Sequence, residues 1–542
     1  MWYNMHMETC EFLEITESVM NEATVTIYTP KVEPIPCRTA AGQTLMAVLA
    51  AQGLAVDAPC GGNGRCGKCR VRAEGALSPR SAEEARLPAG ERLACLAKVE
   101  GDCTVWLRAA ENMRVETDGT LGVWPLTAKN GLGAAVDIGT TTVVVYLYDL
   151  TTGERLATVG AENRQRAFGA DVISRITYTM NDPDGLSCLC QTIRDQLIDL
   201  LTGALTQSGR NWAELTEVCV AGNTVMAHLL ANLSPSGLAK LPFMPASLFE
   251  SDFAADPTWL NLPETAKLTV LPAVSAFVGG DITAAAVAIG LRESTEPTIL
   301  LDIGTNGEMA LAADGRILCC ATAAGPAFEG ADIECGMSGT IGAIDTVAWG
   351  EDGLAFTVIG AQEAKGICGS GLIDLLAVLL ELGAVDETGR LLPPDEAPEK
   401  ALPYLRETDE GDVFFALTDT VYVTERDVRR LQLAKAAIAG GIATLLDEAN
   451  LKAEAVANVA IAGGFGAHLR PESAVKIGIY PRVWRDRAQS VGNAAGMGAS
   501  AVLLSAEACK NAYALAAAMQ TVELSADPRF TEYYVEHMMF EE

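Results

Sequence analysis

The sequence predicts a multidomain α/β protein in which a small β-rich module precedes two similar α/β lobes. Four cysteines cluster in a short, Gly-rich region between residues 60 and 95. From Leu132 onward, apolar strand patterns alternate with Ala- and Leu-rich helix patterns, which is typical of α/β proteins. An apolar strand ending in Asp-Ile-Gly-Thr occurs twice, with Asp137 and Asp302 165 residues apart. This repeat predicts a duplicated fold.

Length and charge limit the classes of function. A chain of 542 residues predicts three or four packed units. Lys and Arg total 39 and Asp and Glu total 70, so the formal net charge is −31. Such a charge repels phosphates and anionic lipids, so we expect neither nucleic acid nor a membrane as partner. Residues 1–20 lack a secretory-signal pattern and no apolar run could span a bilayer, so we expect a cytoplasmic location.

The pattern divides the chain into five segments. They are a tail (1–20), the β-rich module (21–110), a linker (111–131), a first lobe (132–292) and a second lobe with the C-terminal segment (293–542). Within the module, alternation predicts strands over residues 24–28, 70–74 and 103–108. Residues 44–52 predict a short helix that ends at Gly53.

The cysteine cluster predicts a metal centre. Cys60, Cys66 and Cys69 lie on one Gly-rich loop, and Cys95 follows on a neighbouring strand. The C-x5-C-x2-C spacing with a distant fourth cysteine resembles the [2Fe-2S] ferredoxins, which implies a β-grasp domain with these four thiolates as cluster ligands. A zinc site is the alternative, but zinc sites usually use two C-x2-C pairs and only one is present. Cys103 is an alternative fourth ligand, although the sequence around Cys95 resembles the ferredoxin context more closely.

Each Asp-Ile-Gly-Thr unit predicts a hairpin that can hold nucleotide phosphates. The glycine lets the backbone approach the anion, N–H and Thr hydroxyl groups donate to phosphate oxygens, and the aspartate holds Mg²⁺, often through water. We predict Asp137 and Asp302 as the Mg²⁺ or water-positioning residues, with Glu308 and Asp281 as further candidates. The predicted phosphate contacts are Gly139, Thr140, Thr141, Thr142, Gly304, Thr305, Asn306 and Gly307.

A third motif, at residues 461–466, follows another apolar strand. With the two hairpins it resembles the phosphate-1, phosphate-2 and adenosine motifs of the ASKHA superfamily, which contains acetate and sugar kinases, heat-shock chaperones and actin. The resemblance implies ATP binding at Gly463, Gly464, Phe465 and Gly466. Residues 492–499 are similar to its connecting helix, and residues 278–281 begin a possible counterpart. The alternative is that these motifs are tight turns in an ordinary α/β core.

Three further features allow more than one interpretation. Residues 325–330, with Glu329 near the end, and residues 367–371 are loops that either touch nucleotide or partner or are ordinary turns. The sequence favours neither interpretation. His228 follows residues 221–224, Ala-Gly-Asn-Thr, and is predicted to be a packing residue and not a catalyst.

A ferredoxin module joined to ASKHA lobes, from about residue 21 to 540, resembles the reductive activators of corrinoid proteins. The resemblance is carried by residues 134–142, 163–165, 169–172, 221–224, 325–330, 368–371 and 522–525. It implies an ATPase that transfers one electron from the [2Fe-2S] cluster to the inactive Co(II) corrinoid of a methyltransferase system, restoring Co(I). It also implies a low-potential donor such as ferredoxin or flavodoxin, and a homodimer.

Two alternative functions stay open at this stage. One is an ATP-driven electron donor to another metalloenzyme, like the activators of 2-hydroxyacyl-CoA dehydratases. Those proteins hold a [4Fe-4S] cluster between two subunits, and the ferredoxin-like loop argues against this alternative. The other is a redox or nucleotide sensor without turnover, against which the intact Asp137 and Asp302 argue.

Overall fold

The structure, a computed structural model, describes most of the chain in two compact units. The described residues are 22–29, 32–54, 56, 58, 62, 64, 67–85, 87–107, 117–119, 124–408, 411–464 and 466–540. The first unit contains the described parts of residues 1–56 and 67–109, and the second those of residues 57–66 and 110–542. The predicted tail, residues 1–20, lies outside the described residues.

The first unit is a five-stranded sheet with one helix. Its elements are β1 (Glu22–Thr29), β2 (Val32–Ala40), α1 (Leu45–Ala51), β3 (Arg70–Leu77), β4 (Glu91–Leu93) and β5 (Val99–Trp106), in the sheet order β2-β1-β5-β3-β4. The predicted helix and three strands are all present, and the last strand begins at Val99, before the predicted Cys103. The sequence did not predict β2, which contains Pro34 and Pro36. Prolines are tolerated there because β2 is an edge strand.

The first lobe of the second unit has a five-stranded sheet and four helices. Its elements are β6 (Leu132–Ile138), β7 (Thr142–Asp149), β8 (Arg155–Glu162), α2 (Val172–Asn181), α3 (Gly185–Ser208), β9 (Leu215–Gly222), α4 (Thr224–Leu230), β10 (Lys267–Val270) and α5 (Gly280–Ala288). The sheet order is β10-β9-β6-β7-β8, and β6 is parallel to β9 and antiparallel to β7. The end of β6, which carries Asp137, therefore lies in the middle of the sheet.

The second lobe has one large sheet and two small ones. Its strands are β11 (Thr298–Ile303), β12 (Gly307–Ala313), β13 (Arg316–Thr322), β14 (Ala343–Gly350), β15 (Gly353–Val358), β16 (Gly366–Ile367), β17 (Leu405–Glu407), β18 (Val413–Ala416), β19 (Tyr422–Thr424), β20 (Asn458–Ala462), β21 (Ala488–Gly492) and β22 (Met519–Thr521). Its helices are α6 (Gly369–Leu382), α7 (Glu425–Glu448), α8 (Pro471–Ile477), α9 (Ala494–Leu504), α10 (Ala506–Ala518) and α11 (Pro528–Glu536). The large sheet has the order β21-β20-β11-β12-β13-β22, and the small ones β15-β14-β16 and β17-β18-β19.

The two large sheets confirm the predicted duplication. In each, an antiparallel three-stranded meander is followed by two parallel strands added on the side of its first strand. The meanders are β6-β7-β8 and β11-β12-β13, and the two Asp-Ile-Gly-Thr units occupy the same hairpin in each. A helix follows the outer parallel strand of each sheet, α5 after β10 and α9 after β21.

Helices α5 and α9 pack closely against each other. Both consist mainly of Ala, Gly and other small residues, and every residue of α9 is buried. A Cβ atom added at Gly498 of α9 would overlap the backbone carbonyl of Ala284 in α5. The small side chains therefore allow a contact in which the helix backbones nearly touch.

The described part of the predicted linker belongs to the second unit and is hydrogen-bonded to both helices of the α5–α9 pair or to residues next to them. Gly119 forms a β-bridge with Gly492, and the N–H of Asn493 donates to the carbonyl oxygen of Asp118 at 2.9 Å. Trp124 Nε1 donates to the carbonyl oxygen of Val287 in α5 at 3.1 Å. These bonds attach the chain to both members of the α5–α9 pair.

The C-terminal segment packs on α7. Arg529 of α11 forms ion pairs with Asp447 and Glu448 at the end of α7. Further along, Lys435 Nζ donates to the carbonyl oxygen of Met539 at 2.7 Å and lies over the ring of Phe540.

Among the helices of the described residues, none combines the length and apolar character needed to cross a membrane.

We expect Gly498→Ala to lower the free energy of unfolding by about 1–3 kcal/mol, because extra atoms would be forced into a packed interior. Gly203→Ala in α3 is the matched control, since a Cβ there meets only Val159 Cγ1, at 3.8 Å. The control should be neutral or stabilising by about 0.5–1 kcal/mol. Thermal unfolding of both variants measures the difference, and equal midpoints would contradict the close helix contact.

Candidate nucleotide site and iron–sulfur centre

Two of the four predicted cluster ligands are described, and they lie together. Cys69 immediately precedes β3 and Cys95 follows β4, which pairs with β3. The Cys69 and Cys95 Sγ atoms are 3.3 Å apart, and both residues are buried. The hydrogen bond between Cys69 and Cys95 lowers the pKa of the Cys69 thiol to about 7. Thiolates bind metals, so this pair suits ligation of one iron near neutral pH. Cys60 and Cys66 lie outside the described residues.

Cys103 has a different environment. It lies within β5, where it pairs with Val25 of β1 and Gly75 of β3. Burial raises the pKa of its thiol to about 11, with a smaller contribution from the charge of Asp102. Cys95 lies against Cys69 whereas Cys103 lies within the sheet, and this geometry favours Cys95 as the fourth ligand.

Four carboxylates converge where the two lobes meet. Asp137 lies near the end of β6, Asp302 near the end of β11, and Glu308 of β12 pairs with Asp302 across the hairpin. Asp281 lies in the first turn of α5. Glu308 is buried, and the other three keep some contact with solvent. The structure thus brings together all four acidic residues that the sequence singled out.

Burial and mutual repulsion disfavour the charged forms of these acids. Burial raises the pKa of Asp137 and of Asp302 to about 7, and the charge of Asp281 contributes to both. Burial also raises the pKa of Asp281 to about 6. The pKa of Glu308 is raised by burial and by the charges of Asp281 and Asp302. Asn493, the N-cap of α9, partly compensates at Asp137, because its Nδ2 donates to Asp137 Oδ2 at 2.9 Å.

The four clustered carboxylates suit the binding of a hydrated cation. In the part of the chain that the structure describes, no set of three or more His, Cys, Asp or Glu is arranged to hold a metal ion directly. Mg²⁺ characteristically keeps several of its waters and is held by one or two carboxylates together with substrate phosphates. A divalent cation would also offset the repulsion among the four acids.

In the first hairpin, the backbone carbonyl groups of the turn between β6 and β7 accept hydrogen bonds from Asn163 and Arg175, which lie on one side of it. Asn163 donates from Nδ2 to the carbonyl oxygen of Gly139 and from its backbone N–H to that of Thr141, both at 2.8 Å. Arg175 Nη2 donates to the carbonyl oxygen of Thr140 at 2.5 Å. Because C=O and N–H point in opposite directions across a trans peptide bond, the N–H groups that follow these carbonyls face away from Asn163 and Arg175. The hairpin therefore presents backbone donors suited to a phosphate.

Arg175 adds a buried positive charge to this arrangement. It is fully buried, and its guanidinium also donates to the carbonyl oxygen of Gly169 at 2.9 Å and to Gln165 Oε1 at 3.4 Å. Burial lowers its pKa to about 9, so it is still charged at neutral pH. A cation behind the hairpin attracts an anionic ligand to the other side.

Hydroxyl groups of the two hairpins have different partners. Thr140 Oγ1 accepts a hydrogen bond from Asn223 Nδ2 at 3.0 Å, which leaves its own O–H to donate elsewhere. The hydroxyls of Thr141 and Thr305 instead donate to Glu329, with oxygen–oxygen distances of 3.1 and 2.6 Å. A hydroxyl has a single O–H, so Thr140 is a better phosphate donor in this geometry than Thr141 or Thr305.

The third motif meets the second hairpin. Gly463 follows β20 with a φ of 92°, and a Cβ atom there would lie 2.6 Å from Asp302 Oδ1. Only glycine combines this backbone conformation with such a close approach. Gly464 continues the turn, Gly466 begins the 3-10 helix Gly466–His468, and Phe465 lies outside the described residues.

His228 has the partners of a packing residue. Its Nδ1 donates to the carbonyl oxygen of Thr224 at 2.6 Å, and its Nε2 accepts from the N–H of Ala246 at 3.0 Å. Since a backbone carbonyl can only accept and a backbone N–H can only donate, this geometry requires the neutral ring. Burial lowers its pKa, which agrees with that form.

Sequence analysis missed the roles of several residues around the hairpins. They are Asn163, Arg175, Asn223, Glu329 and Asn493. All but Arg175 lie in strings that had been noted without a function. For Asn223, Glu329 and Asn493 the available signal was a polar side chain next to a glycine, but the partner of each lies far away in the chain.

The fold and these sites define a class of protein, in which a ferredoxin-type unit is joined to a duplicated ASKHA nucleotide-binding fold. Three family models match the chain. They describe a 2Fe-2S iron–sulfur cluster binding domain over residues 31–100, the RACo middle region over 132–294, and the C-terminal domain of RACo, the ASKHA domain, over 296–542. The predicted fold class is confirmed, as are an iron–sulfur domain and a nucleotide-binding fold.

Similar proteins identify the family. The corrinoid activation enzyme RamQ of Eubacterium limosum is 34% identical over 417 residues, which cover 75% of this chain and 70% of RamQ. The Co(II) methylated amine-specific corrinoid protein reductase of Methanosarcina barkeri is 25% identical over 380 residues, covering 64% and 66%. A solved reductive activator for a corrinoid, iron–sulfur protein is 30% identical, covers 96% of this chain and 98% of its own, and has a TM-score of 0.67. The chain belongs to the family of reductive activators of corrinoid proteins.

Replacing single cysteines distinguishes the two candidate fourth ligands. We expect Cys95→Ala to abolish cluster binding, because Cys95 lies against Cys69, and Cys103→Ala to retain it. Iron content and visible absorption after anaerobic reconstitution measure the cluster. Retention in Cys95→Ala together with loss in Cys103→Ala would assign the fourth ligand to Cys103.

Stability should depend on pH through the carboxylates. Asp137 and Asp302 stay protonated up to about pH 7 in the folded protein, whereas Asp in the unfolded chain ionises near pH 4. Between these values stability falls as the pH rises, by about 1.4 kcal/mol per pH unit for each such carboxylate. With a chelator present, the thermal midpoint should therefore fall less steeply from about pH 5.5 to about pH 7 in Asp302→Asn than in the unsubstituted protein.

Glu264→Gln removes an exposed carboxylate and is the matched control for this measurement. It should keep the slope of the unsubstituted protein. Equal slopes in all three proteins would show that the carboxylate group does not set the pH dependence.

Proposed function

We propose that the protein is an ATP-dependent reductive activator that returns the inactive Co(II) corrinoid of a corrinoid protein to Co(I), the state required for methyl transfer. The observation that carries this proposal is the similarity over nearly the whole length of both chains to the solved reductive activator. When bound, the [2Fe-2S] cluster supplies the single electron. The ASKHA lobes supply the driving force through ATP binding and hydrolysis.

An energy input is needed because Co(I) is a very strong reductant. A plant-type ferredoxin has a potential near −400 mV, so electron transfer to Co(II) is uphill. Moving a two-state equilibrium from 1:99 to 99:1 requires a bias of about 5.5 kcal/mol, which corresponds to about 240 mV for one electron. Closure of the lobes on a nucleotide can provide a bias of this order.

The residues of this chain have separate tasks in the proposal. Cys60, Cys66, Cys69 and Cys95 hold the cluster. Asp137 and Asp302 hold Mg²⁺ through water, with Glu308 as a candidate for positioning the hydrolytic water. The hairpin residues Gly139, Thr140, Thr141, Thr142, Gly304, Thr305, Asn306 and Gly307 contact the phosphates, and Gly463, Gly464, Phe465 and Gly466 contact the adenosine.

The proposal extends to the partners of the protein. The family resemblance supports a low-potential ferredoxin or flavodoxin as electron donor and a homodimer. The absence of a secretory-signal pattern in residues 1–20 supports a cytoplasmic location. The formal net charge of −31 supports a corrinoid protein that presents basic or neutral patches at the contact. Light scattering of the purified protein measures the oligomeric state directly.

The test is an anaerobic assay with a candidate corrinoid protein poised as Co(II) and a low-potential reductant. We expect the cobalt absorption spectrum to change to that of Co(I) only when Mg-ATP is added, because the electron transfer is uphill without it. Cys69→Ala should abolish the change, since the cluster is lost. Cys103→Ala should retain it and controls for a general effect of removing a buried cysteine.

Each other result selects a different function. Formation of Co(I) without ATP would contradict the proposed coupling. ATP hydrolysis with cobalt left as Co(II) would indicate another metalloenzyme as acceptor, as in the dehydratase activators. Binding of ATP without hydrolysis would indicate a sensor.

A further inference from the structure

Glu329 connects the hairpins of the two lobes. Its Oε2 accepts the hydroxyl of Thr141, in the turn between β6 and β7, and its Oε1 accepts the hydroxyl of Thr305, in the turn between β11 and β12. A Cβ atom at Gly304 would lie 3.9 Å from the same Oε1, so the carboxylate also lies over the second hairpin. The bond to Thr305 lies within the second lobe, whereas the bond to Thr141 crosses to the first.

The backbone around Glu329 is held in a defined position. Glu329 ends the short 3-10 helix Pro326–Glu329, in which Phe328 is fully buried. At one end the N–H of Gly325 donates to the carbonyl oxygen of Thr305 at 2.9 Å. At the other, Gly330 has a φ of 76°, and a Cβ atom there would lie 2.6 Å from the carbonyl oxygen of Met337. The carboxylate is therefore presented from a rigid loop of the second lobe.

A carboxylate suits this position because each of its oxygens can accept a hydroxyl proton. Thr141 and Thr305 each have only one O–H, and each gives it to Glu329. Their remaining lone pairs are acceptors, which can bind a water molecule or a cation. Hydrogen bonds to a charged acceptor are also stronger than those between neutral groups.

We propose that Glu329 is a positioning residue that ties the two phosphate hairpins together, so that both act on one nucleotide. The bond between Glu329 and Thr141 forms only when the lobes bring the hairpins close, which makes it a direct link between lobe closure and hairpin geometry. The consequence for ATP hydrolysis rests on the proposed function. The hydrogen-bonded link between the two hairpins does not depend on the proposed function.

Hydrogen–deuterium exchange of the full-length protein tests the tie without nucleotide. Glu329→Gln keeps one acceptor oxygen and replaces the other with a donor, so it cannot accept both hydroxyls, and the hydroxyl bond that it keeps no longer has a charged acceptor. We expect amide exchange to rise about tenfold or more in both hairpins, residues 139–142 and 304–307, since hydrogen bonds to a charged group are lost. Thr141→Val should raise exchange only in the first hairpin, and Thr305→Val only in the second.

Two controls separate this pattern from general loosening. Glu351→Gln removes a carboxylate at an exposed turn of the same unit and should change neither hairpin. Helix α6 should exchange as in the unsubstituted protein in every variant. The inference is overturned if Glu329→Gln leaves hairpin exchange unchanged, or if Thr141→Val loosens both hairpins equally.

Steady-state kinetics test the consequence. We expect Glu329→Gln to lower kcat for ATP hydrolysis by about tenfold or more while nucleotide Kd changes by less than about threefold, because positioning is lost and binding is retained. The double variant with Thr141→Val should be no slower than Glu329→Gln alone. If the unsubstituted protein hydrolyses no ATP, the proposed function fails, and the exchange pattern still decides the role of Glu329.

Discussion

The close contact between α5 and α9 is the constraint on which the second unit depends. Ala284 and Gly498 let the two helix backbones nearly touch, and this contact sets how near the duplicated halves lie. The N-terminal ends of both helices lie at the candidate nucleotide site. Asp281 enters it from the first turn of α5, and Asn493, the N-cap of α9, binds Asp137. The helix pair therefore determines both the separation of the lobes and part of the chemistry between them.

Charge at the candidate nucleotide site is arranged in two layers. Asp137, Asp281, Asp302 and Glu308 form an acidic group in which burial disfavours ionisation. Behind the first hairpin, Arg175 is a buried cation that hydrogen-bonds to backbone carbonyls. Buried charges are costly unless they are compensated. A nucleotide with its Mg²⁺ carries both signs of charge, so it can compensate both layers at once.

The iron–sulfur centre depends on a shorter-range constraint. The pairing of β3 with β4 brings Cys69 and Cys95 into contact although 25 residues separate them in the sequence. Cys103 is close in sequence to Cys95, but the strand register of β5 places it between β1 and β3. Position along the chain therefore does not distinguish Cys95 from Cys103 as the fourth cluster ligand. The pairing of the strands does, and it favours Cys95.

The sequence by itself determined the fold class, the duplication and the four acidic residues, because these depend on local periodicity and on motifs of a few adjacent residues. It missed β2, since Pro34 and Pro36 argue against a strand unless the strand is known to be at an edge. It also left Asn163, Arg175 and Glu329 without roles. Asn163 and Arg175 hydrogen-bond to backbone carbonyls of the first hairpin, and Glu329 accepts the hydroxyls of Thr141 and Thr305. Only the tertiary structure decided these contacts, because they join residues from separate strands, helices and lobes, and no local pattern encodes which distant group a polar side chain will meet.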